Sequence, residues 1–314
     1  ILGLDILETI TWGAQMTLGH SKHPPLSGWV GYFFSVLSGH SDWSLYFAAQ
    51  LSLMTGAWFV YKLARMFWDE YASAVAALLL FFLFYYTPSE TKFSTYFLEI
   101  ALQPVMAYCF FKALRKHRIH QWLLFGFFCG LGILNKYSTF LLLTGFLLIF
   151  FLNREYRKQF FSWGPWLALA TFLLVISPHL VWLWNHDFAC FKHIGNRMEE
   201  EHDWTLPLLV IAAAAYPFAM QGGVMLLACL PRFQRWTRKR RDTEIFRWSL
   251  ILTLVPSVFF IVIALCGNDV IMMWFCSVAS WTGIALGVVS GMCYASYTVF
   301  AHYGLAHYES YTMI

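Results

Sequence analysis

The chain has 314 residues, of which 59% are hydrophobic, 20% aromatic and only 12% charged, with a formal net charge of +4. Soluble domains carry roughly 25% charged residues, so the composition excludes an ordinary soluble protein. Several apolar runs have the ~20-residue length of a membrane-spanning helix, which predicts an all-α, polytopic transmembrane protein.

The opening segment is polar by comparison. Leu4-Asp5-Ile6-Leu7-Glu8 sets two carboxylates at i and i+3, which face one way on a helical turn. Such a pair can hold a divalent metal, or one acid can act as general base while the other orients it. A merely solvated pair is the plainer alternative. The stretch GHSKHPPLSGW follows at 19–29, with Lys22 and His23 beside Pro24-Pro25. The two prolines fix φ and stiffen entry to the next segment. Trp29, Tyr32, Phe33 and Phe34 then suit a short helix lying in the membrane interface. The chain starts at Ile1 with no apolar span before Asp5, so the expectation is a truncated N-terminus that lacks a preceding membrane helix.

The apolar runs predict about nine spans, near 46–66, 70–87, 96–111, 121–134, 138–152, 163–184, 207–230, 248–266 and 272–300. Alternate loops then collect 16 of the 21 basic residues: Lys62 and Arg65; Lys112 to Arg118; Arg154 to Lys158; and Arg232 to Arg247. The positive-inside rule makes those loops cytoplasmic. The basic run RWTRKRR at 235–241, flanked by spans, reads as an orienting and lipid-touching cluster rather than a nucleic-acid site. The opposite face takes Lys22, Lys136, Asp5, Glu8, Asp187, the acidic run 199–201 and seven of the eleven histidines, His23, His179 and His186 among them. The chemistry therefore gathers outside. The seven Cys lie mostly in apolar runs without a Cys-x-x-Cys pair, and read as small buried hydrophobes.

Residues 121–152 must enter and return between two cytoplasmic loops, with Asn135-Lys136-Tyr137-Ser138 at the tip. Arms of about 14 residues reach only about 21 Å. Lys136 then ends near the far membrane boundary, where a lysine is costly unless it meets protein, water or an anion. Two readings fit it: a lysine that snorkels to the interface, or a contact from the membrane side to an anion such as a lipid phosphate.

At this point a family resemblance is carried by named residues. LDILETITWGAQMTLGHSKHPPLSGWV (4–30) resembles the first outer loop of the lipid-linked-sugar glycosyltransferases of the GT-C fold. The resemblance is to the family of dolichyl-phosphate-mannose protein mannosyltransferases and bacterial aminoarabinose-to-lipid-A transferases. The matching features are Asp5 and Glu8, Leu18-Gly19-His20, and His23-Pro24-Pro25-Leu26 with Trp29. GLGILNKYS (130–138) is similar to a Gly-Leu…Lys segment of that family, and SPHLVWLWNHDFACFKHIGNR (177–197) to its Pro…Trp-Asn segment. One departure is Ile6, which stands where the family often has a Glu directly after the Asp.

The resemblance, over about 4–280, implies a GT-C-like transmembrane domain at 1–280 and sugar transfer from a polyprenyl-phosphate donor. The acceptor would be a lipid (lipid A-like), an envelope glycan or a protein. It implies a bacterial inner-membrane protein with its site facing the periplasm. By the same resemblance Asp5 would be the general base, and Glu8 would assist it or help hold a divalent metal. Lys136 would contact the donor phosphate. Lys22, His23, His179 and His186 would line the pocket or offset charge on the leaving phosphate.

The tail 281–314 carries Gly283, Gly287 and Gly291 at four-residue spacing, which permits close helix packing. It resembles a helix of the EamA-like drug/metabolite transporter superfamily, and is otherwise one more small-residue membrane helix. Two competing readings follow: a transporter or flippase, or an inactive fragment of the enzyme. Transporters favour paired repeats with broken helices at the midplane. The sequence has no such repeat and gathers its polar residues on one face, which favours the enzyme.

Overall fold

The computed structural model describes residues 4–82, 93, 95–192 and the single positions 248, 251, 252 and 255. Among these residues every regular element is helical. Except for those single positions, the expected spans 207–230, 248–266 and 272–300, the 235–241 basic run and the 281–314 tail lie outside the described residues.

Two short helices come first, α1 (Leu4–Gln15) and α2 (Leu26–Leu37). The longer elements are α3 (Trp43–Ala64), α4 (Glu70–Leu79), α5 (Thr95–Lys116), α6 (Ile119–Asn135), α7 (Thr139–Leu152) and α9 (Trp163–Asn185), with the single turn α8 (Arg154–Arg157) between the last two. α5 and α9 are each long and apolar enough to cross a membrane unaided. α7 passes the same test only together with the segment Arg154–Phe161, from which it is bent by 94°. Asn153 makes that corner. Its side chain accepts from the backbone N–H groups of Glu155 and Tyr156, capping a new helical turn that carries Arg154, Arg157 and Lys158.

α5 is the central post. It carries the core residues Met106, Phe110, Phe111 and Leu114, which pack with Phe146 and Ile149 of α7. α6 runs antiparallel to it: Phe110 meets Phe125 at 5.2 Å between ring centroids, and Gly132 faces Met106. α9 runs parallel to α6, with Gly126 against the Ala168 carbonyl and Gly130 against Val175. These two glycines form a Gly-x-x-x-Gly step that lets two backbones approach without a hydrophobic driving force. α3 runs parallel to α5 through a different device. Pro104 has no N–H for the Ile100 carbonyl, and Gly56 of α3 sits directly over that carbonyl oxygen.

Hydrogen bonds mark the two ends of this bundle. At one end the Arg115 guanidinium donates to the Met66 carbonyl, and the Gln159 amide to the Leu114 carbonyl at 2.9 Å. That end gathers the loops holding Lys62, Arg65, Lys112, Lys116, Arg154 and Arg157. At the other end the Asn135 amide donates to the Thr95 carbonyl at 2.9 Å. The side contacts therefore sort the loops as the charge distribution does. The in-and-out hairpin expected at 121–152 is α6 and α7, with Lys136–Ser138 as its tip at the second end. An apolar cavity of about 360 Å³ lies between α6, α7 and α9, lined by Trp122, Phe125, Phe146, Phe150, Trp166 and Phe172.

Candidate active site at the outer end of the bundle

The opening loop is shaped by α1 and α2. A Cβ on Gly13 would stand 2.0 Å from the Gly28 carbonyl oxygen, so only glycine allows this crossing. The Trp29 indole donates to the Thr17 carbonyl at 3.1 Å and folds the loop back onto α2. α1 is helical through both Asp5 and Glu8, as their spacing requires. Lys22 then returns across 14 residues and places its ammonium 2.6 Å from the Glu8 carboxylate. Each side chain keeps roughly a third of its surface open, 37% for Lys22 and 36% for Glu8.

His20, on the same loop, is buried. It stacks on Trp12 at 5.2 Å and 17°, and Thr17 Oγ1 lies 3.2 Å from its Nε2. Burial first, and then the nearby His179, lower its pKa below the ordinary 6.5. His23, half-buried, meets the same indole edge-on at 5.8 Å.

The hairpin tip supplies a second ion pair. Lys136 is 5% exposed and Glu99, on the first turns of α5, is 2% exposed. The ammonium stands 3.7 Å from Glu99 Oε2 and 3.9 Å from the Tyr96 ring centroid, a cation–π contact. Ser138 Oγ donates to Glu99 Oε1 at 2.8 Å and the Gln103 amide at 3.1 Å. Lys136 is therefore enclosed by protein at the tip, and of the two sequence readings the snorkelling one does not hold. The neighbouring Asn135 Oδ1 is buried with no hydrogen-bond partner among the described residues.

The end of α9 ties loop and tip together. His179 Nδ1 lies 2.6 Å from the Leu18 carbonyl oxygen, and its Nε2 lies 2.7 Å from the Tyr137 hydroxyl. A carbonyl only accepts, so Nδ1 carries the proton and Nε2 accepts from Tyr137. The Cys190 thiol donates to the His20 carbonyl at 2.7 Å. A Cβ on Gly19 would lie 2.4 Å from the Trp182 indole, so this glycine is fixed by close approach. His186 is exposed and stacks on the Trp182 ring, 4.3 Å between centroids, with Nδ1 2.8 Å from the Trp182 carbonyl oxygen.

The arrangement thus brings His20, Tyr137, His179 and Cys190 into one interlocked cluster, with the Lys136–Glu99 pair adjoining it through the tip. Glu8 with Lys22 forms a separate, more open pair on the opening loop. His186 stands at the rim. Sequence reasoning did not single out Glu99, Tyr96, Ser138 or Trp12. Glu99 carried a usable signal, because a carboxylate inside an apolar span predicts a buried partner of opposite charge.

Of the two carboxylates expected at a divalent metal, Asp5 and Glu8, only the Glu8 side chain is among those described. Glu8 already holds an ammonium, and the described residues contain no grouping of three or more His, Cys, Asp or Glu that could hold a metal ion.

Comparison with known proteins gives this geometry a context. The family model described as dolichyl-phosphate-mannose-protein mannosyltransferase matches residues 22–182, about half of the chain. The match takes in Lys22, His23, Lys136 and His179, while Asp5, Glu8 and His186 lie beyond it. The chain is 27% identical over 187 residues to the lipopolysaccharide core galacturonosyltransferase RgtA of Rhizobium johnstonii, covering 58% of the chain and 37% of the relative. It is 26% identical over 256 residues to undecaprenyl phosphate-alpha-4-amino-4-deoxy-L-arabinose arabinosyl transferase 2 of Proteus mirabilis, covering 75% of the chain and 44% of the relative. The chain therefore spans less than half the length of these two relatives. Among solved structures it matches ArnT from Cupriavidus metallidurans in the apo state, with a TM-score of 0.63 and 18% identity over 92% of the chain and 55% of ArnT. The same protein bound to undecaprenyl phosphate matches with a TM-score of 0.60 and 18% identity, over 92% of the chain and 56% of ArnT. The fold is that of these membrane glycosyltransferases.

Proposed function

The chain belongs to the dolichyl-phosphate-mannose-protein mannosyltransferase family, and from that premise we propose that it moves a sugar from a polyprenyl-phosphate donor to a lipopolysaccharide-type lipid acceptor. The site faces the outer side of the bacterial inner membrane, on the face opposite the basic loops. The observation that carries this reading is the enclosed lysine at the outer hairpin tip. Its ammonium is paired with Glu99, and at the membrane boundary a lipid-borne phosphate is the anion that would compete for it. The named substrates of the relatives agree: one transfers from an undecaprenyl-phosphate carrier and one acts on lipopolysaccharide core. Family membership sets the transporter reading aside.

In this mechanism Asp5 takes the proton of the acceptor hydroxyl, and Glu8 sets the local field on the same helix. The acceptor oxygen forms its bond to the anomeric carbon as the bond from that carbon to the phosphate oxygen breaks. The leaving phosphate keeps the electron pair. Lys136 offsets the charge that develops there, with Lys22 and His23 as further donors along the opening loop. His179 acts by holding Tyr137 and Leu18 in register, and His186 lines the rim. Whether a pentose or a hexose is carried is a question for the donor assay. The test supplies membranes containing the protein with radiolabelled undecaprenyl-phosphate-linked aminoarabinose or galacturonic acid. Label passing to lipopolysaccharide, and lost in Asp5→Asn, is the expected result. Absence of transfer from folded wild type with either donor overturns the reading.

A further inference from the structure

A phosphate site built on Lys136 raises a difficulty that the Glu99 pair answers. The donor is a phosphodiester with one negative charge. The spent carrier is a phosphate monoester, with about −1.5 to −2 charges at pH 7. A lysine that holds the donor therefore holds the product more tightly, and turnover stalls unless something takes the ammonium back.

We propose that Glu99 is a positioning residue that holds the Lys136 ammonium between turnovers and reclaims it from the phosphate of the spent carrier. This rests on the donor-phosphate reading given above. The exchange needs two placements of one side chain on a fixed backbone, and the structure holds the Glu99-bound one. The backbone at the tip is anchored by Lys136 N–H to the Gly132 carbonyl at 2.9 Å and Thr139 N–H to the Lys136 carbonyl at 3.1 Å. The four-carbon lysine stem carries the ammonium from those anchors to Glu99 and the Tyr96 ring, with 5% of the residue exposed. The 3.7 Å separation from Glu99 is an ion pair looser than a close charge-assisted hydrogen bond, which runs nearer 2.7–2.9 Å. When the ammonium leaves, Glu99 is still served by the Ser138 hydroxyl at 2.8 Å and the Gln103 amide at 3.1 Å. Those two donors hold the Glu99 side chain in place, where it can meet the returning lysine. The Tyr96 ring face, 3.9 Å from the ammonium, offers a surface along which the lysine remains stabilised.

The test measures undecaprenyl phosphate binding in nanodiscs and steady-state sugar transfer for wild type, Glu99→Gln, Glu99→Asp, Lys136→Met and the Glu99→Gln/Lys136→Met double variant. Glutamine keeps the shape and both incoming hydrogen bonds but removes the competing charge. Glu99→Gln is expected to bind undecaprenyl phosphate at least about fivefold more tightly, with KM for the donor and kcat both falling because product leaves slowly. Lys136→Met is expected to bind it roughly tenfold or more weakly. The double variant should match Lys136→Met, because the gain requires the lysine. Where Glu99→Gln fails to fold, Glu99→Asp keeps the charge at greater distance and shows a smaller change in the same direction. Affinity in Glu99→Gln or Glu99→Asp that equals or falls below wild type, while Lys136→Met loses binding, overturns the release role and leaves the phosphate site standing. Equal binding by wild type and Lys136→Met overturns the phosphate-site reading itself.

Discussion

His179 and Tyr137 share a 2.7 Å hydrogen bond across 42 residues of sequence, and the opposite nitrogen of the same imidazole holds the Leu18 carbonyl. One ring therefore fastens the opening loop, the hairpin tip and α9. Removing it takes the acceptor from the buried Tyr137 hydroxyl, at about 1–3 kcal/mol, and the donor from the part-buried Leu18 carbonyl. His179→Ala is expected to lower the unfolding midpoint in detergent well beyond Tyr137→Phe, and the double variant to add little to His179→Ala. Strict additivity of the two changes in a thermal unfolding series would show that the bond does not couple them.

The α6–α9 contact rests on Gly126. A Cβ there would stand 2.1 Å from the Ala168 carbonyl oxygen, which is backbone and cannot turn aside. Gly126→Ala should cost about 1–3 kcal/mol by overpacking. Phe127→Ala, at an outward position that is 41% exposed, should cost much less. Comparing the two unfolding midpoints checks the packing; equal losses would contradict it.

The Glu8–Lys22 pair separates structure from chemistry. With about a third of each side chain open, its contribution to stability is about 0–1 kcal/mol. Lys22→Met should therefore leave the unfolding midpoint nearly unchanged. If Lys22 offsets phosphate charge, the same variant should lose about 10²-fold in kcat. Thermal unfolding and sugar transfer on one preparation give both numbers, and a wild-type kcat would remove Lys22 from the site.

His20 gives the fold a pH dependence of defined sign. Burial lowers its pKa below 6.5, so the unfolded chain takes up a proton first as pH falls. Its contribution is complete above pH 6.5 and is lost as pH drops from there through the folded value. His20→Gln removes that one titration. Its unfolding midpoint should change less between pH 7.5 and pH 5 than that of wild type. An equal or larger change would contradict the assignment.

Much of the fold was legible because apolar run length and loop charge are read directly from composition along the chain. The in-and-out hairpin over 121–152 followed from two basic loops that had to share a side, and α6, α7 and their tip realise it. Motifs drew attention to Lys22-His23-Pro24-Pro25 and Lys136, and the structure sets Lys22 against Glu8 and Lys136 against Glu99. Glu99 was not found, although an acid in an apolar run signals a buried partner; which partner it meets depends on the hairpin tip that brings Lys136 within 3.7 Å. The His179 tie was missed as a structural device for the same reason. Its partners Leu18 and Tyr137 are far apart in sequence, and no local pattern joins them. The Gly126–Gly130 step had a readable spacing, but its meaning depends on the facing helix.

The central claim is that the enclosed lysine at the outer tip serves a lipid-borne phosphate in sugar transfer. Its most direct test is kcat/KM for an undecaprenyl-phosphate-linked sugar donor in proteoliposomes, wild type against Lys136→Met, with folding checked by unfolding midpoint. The account predicts measurable transfer by wild type and a loss of about 10²–10³-fold in the folded variant. Transfer by Lys136→Met at the wild-type rate would contradict it.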